Sequence, residues 1–514
     1  MKYFLTLIQL WVGFLPICAS YPKANIWIIP SVESPQVYRN YAQTSKVHLE
    51  MARGEVEHIQ LVFPSKVNEE YRFTFDRYLK GIQISARELK KMNGYYDALV
   101  PFKNQLKCTD TLTAVWITVQ CPSRVPVGKY HQTIKIEGSK HFTIQLDYNV
   151  HHTTIPLKSS IPITVGVENR CMTECLNDKE ADKERQRWVD FVLSYRMTPV
   201  FGTQITPERW QYEHSFSPWA WNDKRSIRLL NDRRYSCYML PFFTLSENEL
   251  ASLLCNIQKK GKLKESLFYI WDEPAYMEDY EQIKRKVNII RKYASDARIL
   301  TTFFCGPRNG PRKGDLYAVF DYLKHHIHVA TISLAPCKGN EEEVQHIRYK
   351  VPEGIDWWSY VCWQPGGNEP NFLLQMKGIQ QRAIMWRTWK NGSQGFLYWN
   401  CNIYHKRNPF TYITDMPHGD GILIYPGDIL GRKGPIASAR LERWRDGAEE
   451  MELLRLVEKN YSKEKADTLL NIVYSSPLSF IEKAHNIPFF RKELLDQLDK
   501  TIPIDYKLRI TDFI

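Results

Sequence analysis

The sequence predicts a multidomain chain: an N-terminal antiparallel β-sandwich followed by a (β/α)8 TIM-type barrel with C-terminal helices. Three observations carry this prediction. Short period-two apolar runs follow one another with no helix between them up to about residue 155. After Pro162, apolar runs alternate with amphipathic helical stretches instead. The length, 514 residues, exceeds one ordinary domain.

The first set of runs is Asn25-Ile-Trp-Ile-Ile-Pro30, His58 to Phe63, Tyr71 to Phe75, Ala114 to Val119, Tyr130 to Ile136 and His141 to Val150. Alternation at this spacing places one face of each strand in a core and the other in solvent. The segment His151 to Pro162 is polar and proline-bounded, so it reads as a solvated linker, and its two adjacent histidines as linker residues rather than a metal pair. The predicted units are residues 1–20, 21–155, 156–460 and 461–514: a leader, the sandwich, the barrel and a helical extension.

Eight further runs follow: Ile163–Val167, Pro199–Gly202, Cys237–Phe243, Leu267–Trp271, Ile299–Phe304, His328–Leu334, Trp357–Val361 and Gly395–Trp399. Between them lie helical stretches such as Lys179 to Tyr195 and Tyr280 to Tyr293. Eight strands with helical connections over about 250 residues match a barrel. An open doubly wound sheet is the alternative, but Val167-Glu-Asn-Arg170 lacks the glycine fingerprint that fold carries after its first strand. Ala439 to Val457 is a strong helix, and the residues from Ser462 onward read as helices packed outside the barrel.

The start of the chain reads as a secretory signal. Met1-Lys2 is followed by an apolar stretch to Ile17 and by small residues at Cys18-Ala19-Ser20, too short to span a membrane. Lipidation at Cys18 is disfavoured by the bulky Ile17 before it. Localisation is therefore expected outside the cytoplasm, and no later run reaches spanning length. Ten cysteines remain after Cys18, an even number compatible with disulfides; Cys108 with Cys121 and Cys171 with Cys175 are close in sequence, without fixing a pairing. No CxxC pair supports zinc. Sequons occur at Asn391 and Asn460.

The net charge is +12, but lysines and arginines are scattered, and the densest cluster (Lys259, Lys260, Lys262, Lys264) is short. Nucleic acid is excluded as the expected partner, while an acidic glycan stays compatible with the charge. Aromatic residues reach 13%, a composition suited to gripping sugars and also to large cores.

In a barrel, chemistry sits at the C-terminal strand ends. The fourth strand ends Tyr269-Ile-Trp-Asp-Glu-Pro274. Asp272 and Glu273 are adjacent acids that can converge on one pocket and have their proton affinities driven apart, as general acid catalysis requires. An N-capping role before the next helix is the bland alternative. Paired acids among aromatics point to glycoside cleavage. The seventh strand has no acid at its outlet: Asp356 lies at its start, and Glu369 follows in a loop. That pattern favours a route in which a 2-acetamido carbonyl of the substrate is the nucleophile, with Asp272 orienting it and Glu273 protonating the leaving oxygen. Trp271, Trp358, Tyr360, Tyr398 and Trp399 are candidate sugar contacts, each with a core reading of equal standing. Asn400 has a turn-building alternative, as does Asp420 in its Gly419-Asp-Gly421 turn. The basic loop Gly306 to Gly314 reads first as an ordinary solvated loop, with reception of a sulfate or sialyl group as the alternative. No metal or cofactor is expected; Walker, nucleophile-elbow and HExxH motifs are absent.

These segments resemble glycoside hydrolase family 123. The resemblance rests on Tyr269-Ile-Trp-Asp-Glu-Pro274, Trp357-Trp-Ser-Tyr360, Trp386 to Trp399, Gly419 to Gly427 and Ala439 to Ala448, with Ala52 to Val62 similar to the family's N-terminal sandwich. It implies a sandwich-plus-barrel architecture, β-N-acetylgalactosaminidase activity by substrate assistance, and Asp272 and Glu273 as the catalytic pair. Asn400-Cys-Asn402 departs from the expected residue mix after Tyr398-Trp399. The expected partner is a glycan or glycoconjugate. A non-catalytic carbohydrate-binding protein, and a conventional glycosidase using Glu369 or Glu168 as nucleophile, are the alternatives.

Overall fold

The computed structural model describes residues 26–76, 81–206, 211–306, 308–310, 313–404, 409 and 419–501. The predicted leader, including Cys18, lies outside the described residues. So do parts of the basic loop and of the C-terminal extension.

Ten strands build the N-terminal unit: β1 (Trp27–Pro30), β2 (Lys46–Arg53), β3 (Glu55–Pro64), β4 (Glu70–Phe75), β5 (Gln83–Met92), β6 (Tyr95–Pro101), β7 (Gln105–Lys107), β8 (Leu112–Cys121), β9 (Gly128–Glu137) and β10 (His141–Thr154). They form two five-stranded sheets, ordered β1-β3-β8-β5-β6 and β2-β10-β9-β4-β7. All pairings are antiparallel except β2 with β10, which is parallel. Inward residues such as Leu61, Phe63, Ile117, Ile134 and Ile144 fill the space between the sheets. All six predicted strands are present. The strands β2 and β5 lacked a clean apolar alternation, because charged residues such as Glu50, Arg87 and Lys90 occupy their faces, and β6 lacked one because it is buried over consecutive positions, Asp97 among them.

The linker reading of His151 is corrected. β10 runs on to Thr154, and His151 is buried, its ring paired with Glu50 of β2 and, at 3.0 Å, with Asp499 near the chain's C-terminal end. Those two carboxylates outweigh burial and raise the imidazole to about 9.

The second unit contains β11 (Ile163–Glu168), β12 (Thr198–Thr206), β13 (Gln211–Ser215), β14 (Tyr238–Met239), β15 (Ser266–Trp271), β16 (Arg298–Phe303), β17 (Val329–Ser333), β18 (Asp356–Val361) and β19 (Phe396–Tyr398). They join in one sheet ordered β13-β12-β11-β19-β18-β17-β16-β15-β14. All eight predicted barrel strands are there and run parallel. The strict (β/α)8 expectation is corrected, however. A ninth strand, β13, pairs antiparallel with β12, and β12 does not pair with β14. Just beyond β13, the Phe216 N–H donates to the Met239 carbonyl at 2.7 Å, so the barrel is nearly closed through this extra strand. β14 has only two residues and offers too short an edge for a direct ladder to β12. Inside the barrel, Leu267, Leu300, Val329, Trp358 and Leu397 pack together.

The helices are α1 (Asn169–Thr173), α2 (Asp178–Ser194), α3 (Lys224–Leu229), α4 (Glu247–Lys259), α5 (Met277–Arg291), α6 (Leu316–Leu323), α7 (Glu341–Lys350), α8 (Gly378–Lys390), α9 (Ala439–Asn460), α10 (Lys463–Leu470) and α11 (Ile487–Asp499). Two short strands, β20 (Ile424–Pro426) and β21 (Pro435–Ala437), precede α9. From Ala439 to Leu454 α9 is buried on every side, and several of its charged residues there are paired inside the protein. His58 meets Glu442 and Asp446 at 3.1 and 3.3 Å, Arg440 reaches Asp97 at 2.9 Å, and Arg491 of α11 reaches Glu55 and Glu57 at 2.8 and 2.9 Å. The outer face of the β1-β3-β8-β5-β6 sheet shares one apolar core with the barrel helices: Val62, Leu89 and Trp116 pack in the same cluster as Ile384, Leu441 and Trp444. The two units are thus welded by a layer that is both apolar and ionic.

The ten described cysteines are all free thiols, Cys108, Cys121, Cys171 and Cys175 among them. Asn391 is 1% exposed at the end of α8, which leaves its sequon no room for a glycan, whereas Asn460 is exposed. No helix of the described residues is long and apolar enough to cross a membrane.

Candidate active site

The C-terminal ends of the parallel strands share one face, and Asp272 and Glu273 lie there, directly after β15. Two backbone features aim them. A bulge at Ile270 shifts the β15–β16 register between Tyr269 and Trp271, which keeps Tyr269 pointing into the barrel and turns Trp271 toward α5. Glu273 then adopts φ +43°, a left-handed conformation that a glutamate rarely takes. Strain of this kind persists where surrounding contacts over-determine it, commonly at functional sites. Here the Glu273 N–H donates to Thr302 Oγ1 at 2.9 Å.

The two acids have different surroundings. Asp272 Oδ1 accepts from the Tyr269 phenol and the Thr302 hydroxyl, both at 2.7 Å. Its Oδ2 has no protein hydrogen bond among the described residues. Glu273 Oε1 accepts from the Tyr360 phenol, which is 3% exposed and projects inward from β18. Burial, followed by the negative charge of Asp272, pushes the Glu273 carboxyl above the ordinary glutamate range; the Tyr360 bond and the Arg308 guanidinium partly counter this. The capping alternative fails. Helix α5 begins after Tyr276, and the N–H groups of Ala275 and Tyr276 are taken by Asp279, each at 2.9 Å.

A cavity of about 230 Å³ adjoins the pair. On one side it is lined by Gly166, Trp399 and Asn400, and on the other by Phe243, Trp271 and Lys286, with Tyr269, His214 and Asp272 also in its wall. β19 and β15 are separated by three strands, so these two sides face each other across the barrel mouth. The His214 ring stacks on Tyr269 with centroids 4.2 Å apart and planes 10° apart, and burial lowers its imidazole to about 3. It is therefore a neutral donor or acceptor at working pH.

The other predicted contacts divide. Trp271 and Trp399 are half-buried in the cavity wall. Trp358 lies one pleat below Tyr360, is 1% exposed and packs against Gly395, so it belongs to the barrel floor. Tyr398 points to the helix side, its ring 4.8 Å from Phe372 and 6.0 Å from Trp444. Its phenol and the Trp399 indole N–H both donate to Asp420 Oδ1 at 3.1 Å. Burial raises Asp420 to about 6, and its buried Oδ2 has no hydrogen-bond partner among the described residues. Asn400 accepts from the Asn402 N–H at 2.9 Å, the turn-building role, while still lining the cavity.

Neither alternative nucleophile is free for the task. Glu369 accepts from Arg387 at 2.9 Å in a buried ion pair away from the mouth. Glu168, at the end of β11, caps α1 through the Arg170 N–H at 3.3 Å, and burial raises it to about 7. Of the basic loop, Arg308 is placed at the site: its N–H donates to the Ala275 carbonyl at 2.7 Å, and its charge reaches Glu273.

Sequence reasoning missed Tyr269, Thr302, His214 and Lys286. Thr302 was legible from strand alternation, as an inward position one pleat from Leu300, whereas the inward turn of Tyr269 depends on the bulge that follows it. His214 was not, because Gln211-Tyr-Glu-His-Ser215 has no apolar period.

A barrel of parallel strands with an acid pair after the fourth, beside an aromatic-walled cavity, defines a glycosidase-type site. The family model described as "Glycoside hydrolase 123, catalytic domain" matches residues 183–457, more than half of the chain. The chain belongs to glycoside hydrolase family 123. Among solved structures, a family 123 glycoside hydrolase from Clostridium perfringens, analysed for glycolipid glycan hydrolysis, is similar at 14% identity and TM-score 0.63, covering 95% of this chain and 100% of that one. A family 2 β-galacturonidase from Eisenbergiella tayi reaches TM-score 0.34 at 9% identity, covering 77% of this chain and 90% of that one. No curated protein sequence matches the chain.

Proposed function

We propose that this glycoside hydrolase removes β-linked N-acetylhexosamine, N-acetylgalactosamine foremost, from glycoconjugates by a retaining, substrate-assisted mechanism, and that it is exported through its N-terminal apolar leader. The observation that carries the reading is the contrast between the two adjacent acids. Asp272 is oriented through one oxygen by Tyr269 and Thr302, leaving Oδ2 to receive an acetamido N–H. That contact aligns the acetamido carbonyl for attack on the anomeric carbon and steadies the positive charge of the oxazolinium-like intermediate. Glu273, with its proton affinity raised, donates a proton to the leaving oxygen and then takes one from the attacking water.

The rest of the site supports this assignment. Among the described residues Asp272 is the one carboxylate in the cavity wall, with Glu273 next to it in the chain, which suits a nucleophile supplied by the substrate. Trp271, Trp399 and the exposed Trp363 offer faces for sugar and aglycone. Asp420 is buried and holds the Trp399 indole in the cavity wall through the bond to its Oδ1. The glycolipid context of the Clostridium perfringens enzyme makes a glycolipid glycan one natural candidate.

The test is release of 4-nitrophenol from 4-nitrophenyl β-N-acetylgalactosaminide and its gluco epimer. Glu273→Gln is expected to lower kcat by about 10² to 10⁴ on the galacto substrate. N-acetylgalactosamine-thiazoline, which mimics the cyclised intermediate, should inhibit strongly. Undiminished turnover in the variant would remove Glu273 from its role. Turnover insensitive to the thiazoline would favour a protein nucleophile over the substrate's acetamido group. A wild type that cleaves neither sugar would leave the carbohydrate-binding alternative standing.

A further inference from the structure

We propose that the α5 side of the cavity is a subsite for an anionic substituent, a sulfate ester or a carboxylate, carried by the sugar bound there, with the Lys286 ammonium as its counter-charge. This rests on the glycosidase reading above and adds a substrate class to it.

Lys286 projects from α5 into the cavity wall beside Gln282, one turn earlier on the same helix. Its Nζ lies over three rings, 5.0 Å from the centroid of Phe243 and 5.9 Å from those of Phe242 and Trp271. Ring faces stabilise a cation only in part. No acidic side chain among the described residues forms an ion pair with it. Burial alone lowers its proton affinity, with no neighbouring carboxylate working the other way.

Neighbouring lysines are arranged differently. Lys284, on the same helix, lies over Tyr322 but also approaches Glu281 at 3.7 Å, and Lys262 pairs with Glu265 at 3.1 Å. A half-buried ammonium without a counter-ion, in the wall of a ligand cavity, gains most from a ligand that brings the anion. The carboxylate of Asp272 does not fill that place. It is tied by Tyr269 and Thr302, whose side chains point into the barrel, whereas Lys286 arrives from the helix layer outside β15.

The experiment is calorimetric titration of the full chain with N-acetylgalactosamine, its 4-sulfate, its 6-sulfate and N-acetylgalactosaminuronic acid, run in parallel with the aryl-glycoside assay. At least one anionic sugar should bind about tenfold tighter than the neutral one, a preference that weakens with added salt. The sulfates and the uronate separate the two sources of charge. Lys286→Gln should erase the preference, and Lys286→Arg should keep it. If no anionic sugar outcompetes the neutral one, or if the preference survives in Lys286→Gln, the subsite is wrong and Lys286 only packs on its rings. The two ideas fail separately. Hydrolysis of the neutral aryl glycoside without any anion preference sinks the subsite alone. A Lys286-dependent preference without hydrolysis sinks the hexosaminidase reading alone.

Discussion

The difference between two neighbouring carboxyl groups arises from what each touches. Asp272 sits between two hydroxyl donors, and Glu273 between a buried phenol and the charge of Asp272. The Tyr360 phenol stabilises the ionised form of Glu273, so Tyr360→Phe should raise the carboxyl's proton affinity further. A general acid must be protonated to act. The alkaline limb of the kcat/KM profile of the variant is therefore expected to move to higher pH, with kcat at the optimum lowered by up to about tenfold for one lost hydrogen bond. A limb that stays in place, or moves to lower pH, would separate Tyr360 from the titrating acid. At this scale the sequence was informative about identity and silent about orientation. The adjacent acids stand out in Trp-Asp-Glu-Pro, but the inward turn of Tyr269 and the outward turn of Tyr398 depend on a one-residue bulge and on strand phase.

At the scale of elements, the site depends on how closely strands approach. Gly166, at the end of β11, has no room for a side chain: a Cβ there would stand 1.9 Å from the Trp399 carbonyl oxygen of the strand-eight outlet. Gly166→Ala should force β11 and β19 apart, costing about 1–3 kcal/mol of stability and displacing Trp399 and Asn400 from the cavity wall. Urea unfolding and kcat/KM on the aryl glycoside measure the two effects; unchanged values for both would mean that the approach relaxes freely. The ninth strand is another element-level feature. It carries His214 to the cavity and completes the wall between β12 and β14. A polar hairpin strand such as Gln211–Ser215 has no periodic signal because its faces do not divide into core and solvent: Tyr212 and His214 meet the cavity, and Glu213 accepts from the Phe242 and Thr244 N–H groups.

At the scale of the whole molecule, the sandwich and barrel are held by buried charge as well as apolar contact. Arg491 links α11 to Glu55 and Glu57, and burial still leaves the proton affinity of these acids above the ordinary glutamate range, against the pull of the arginine. Arg491→Met leaves them without their main counter-charge, a loss expected to destabilise the fold by about 3–5 kcal/mol. The sign of its pH dependence follows from linkage. Without the arginine the folded-state affinities for protons rise further above the unfolded values, so folding retains protons that unfolding releases. The penalty should thus be larger at pH 8.5 than at pH 5.5. Thermal unfolding across that range checks it, and a penalty that shrinks as pH rises would contradict the ion layer described here.

The sequence by itself determined the strand and helix grammar of both units, the place of the acid pair after the fourth barrel strand, and the family. These are local signals: period, turn chemistry and short ordered motifs. Tertiary structure alone decided that His151 is a buried bridge, that the charges of Glu442 to Glu450 face an interior partner, that Glu369 is locked to Arg387, and that a ninth strand brings His214 to the mouth. Charged and polar residues look alike in sequence whether they meet water or each other. Their partners here lie tens to hundreds of residues away, so only the folded chain brings them into contact.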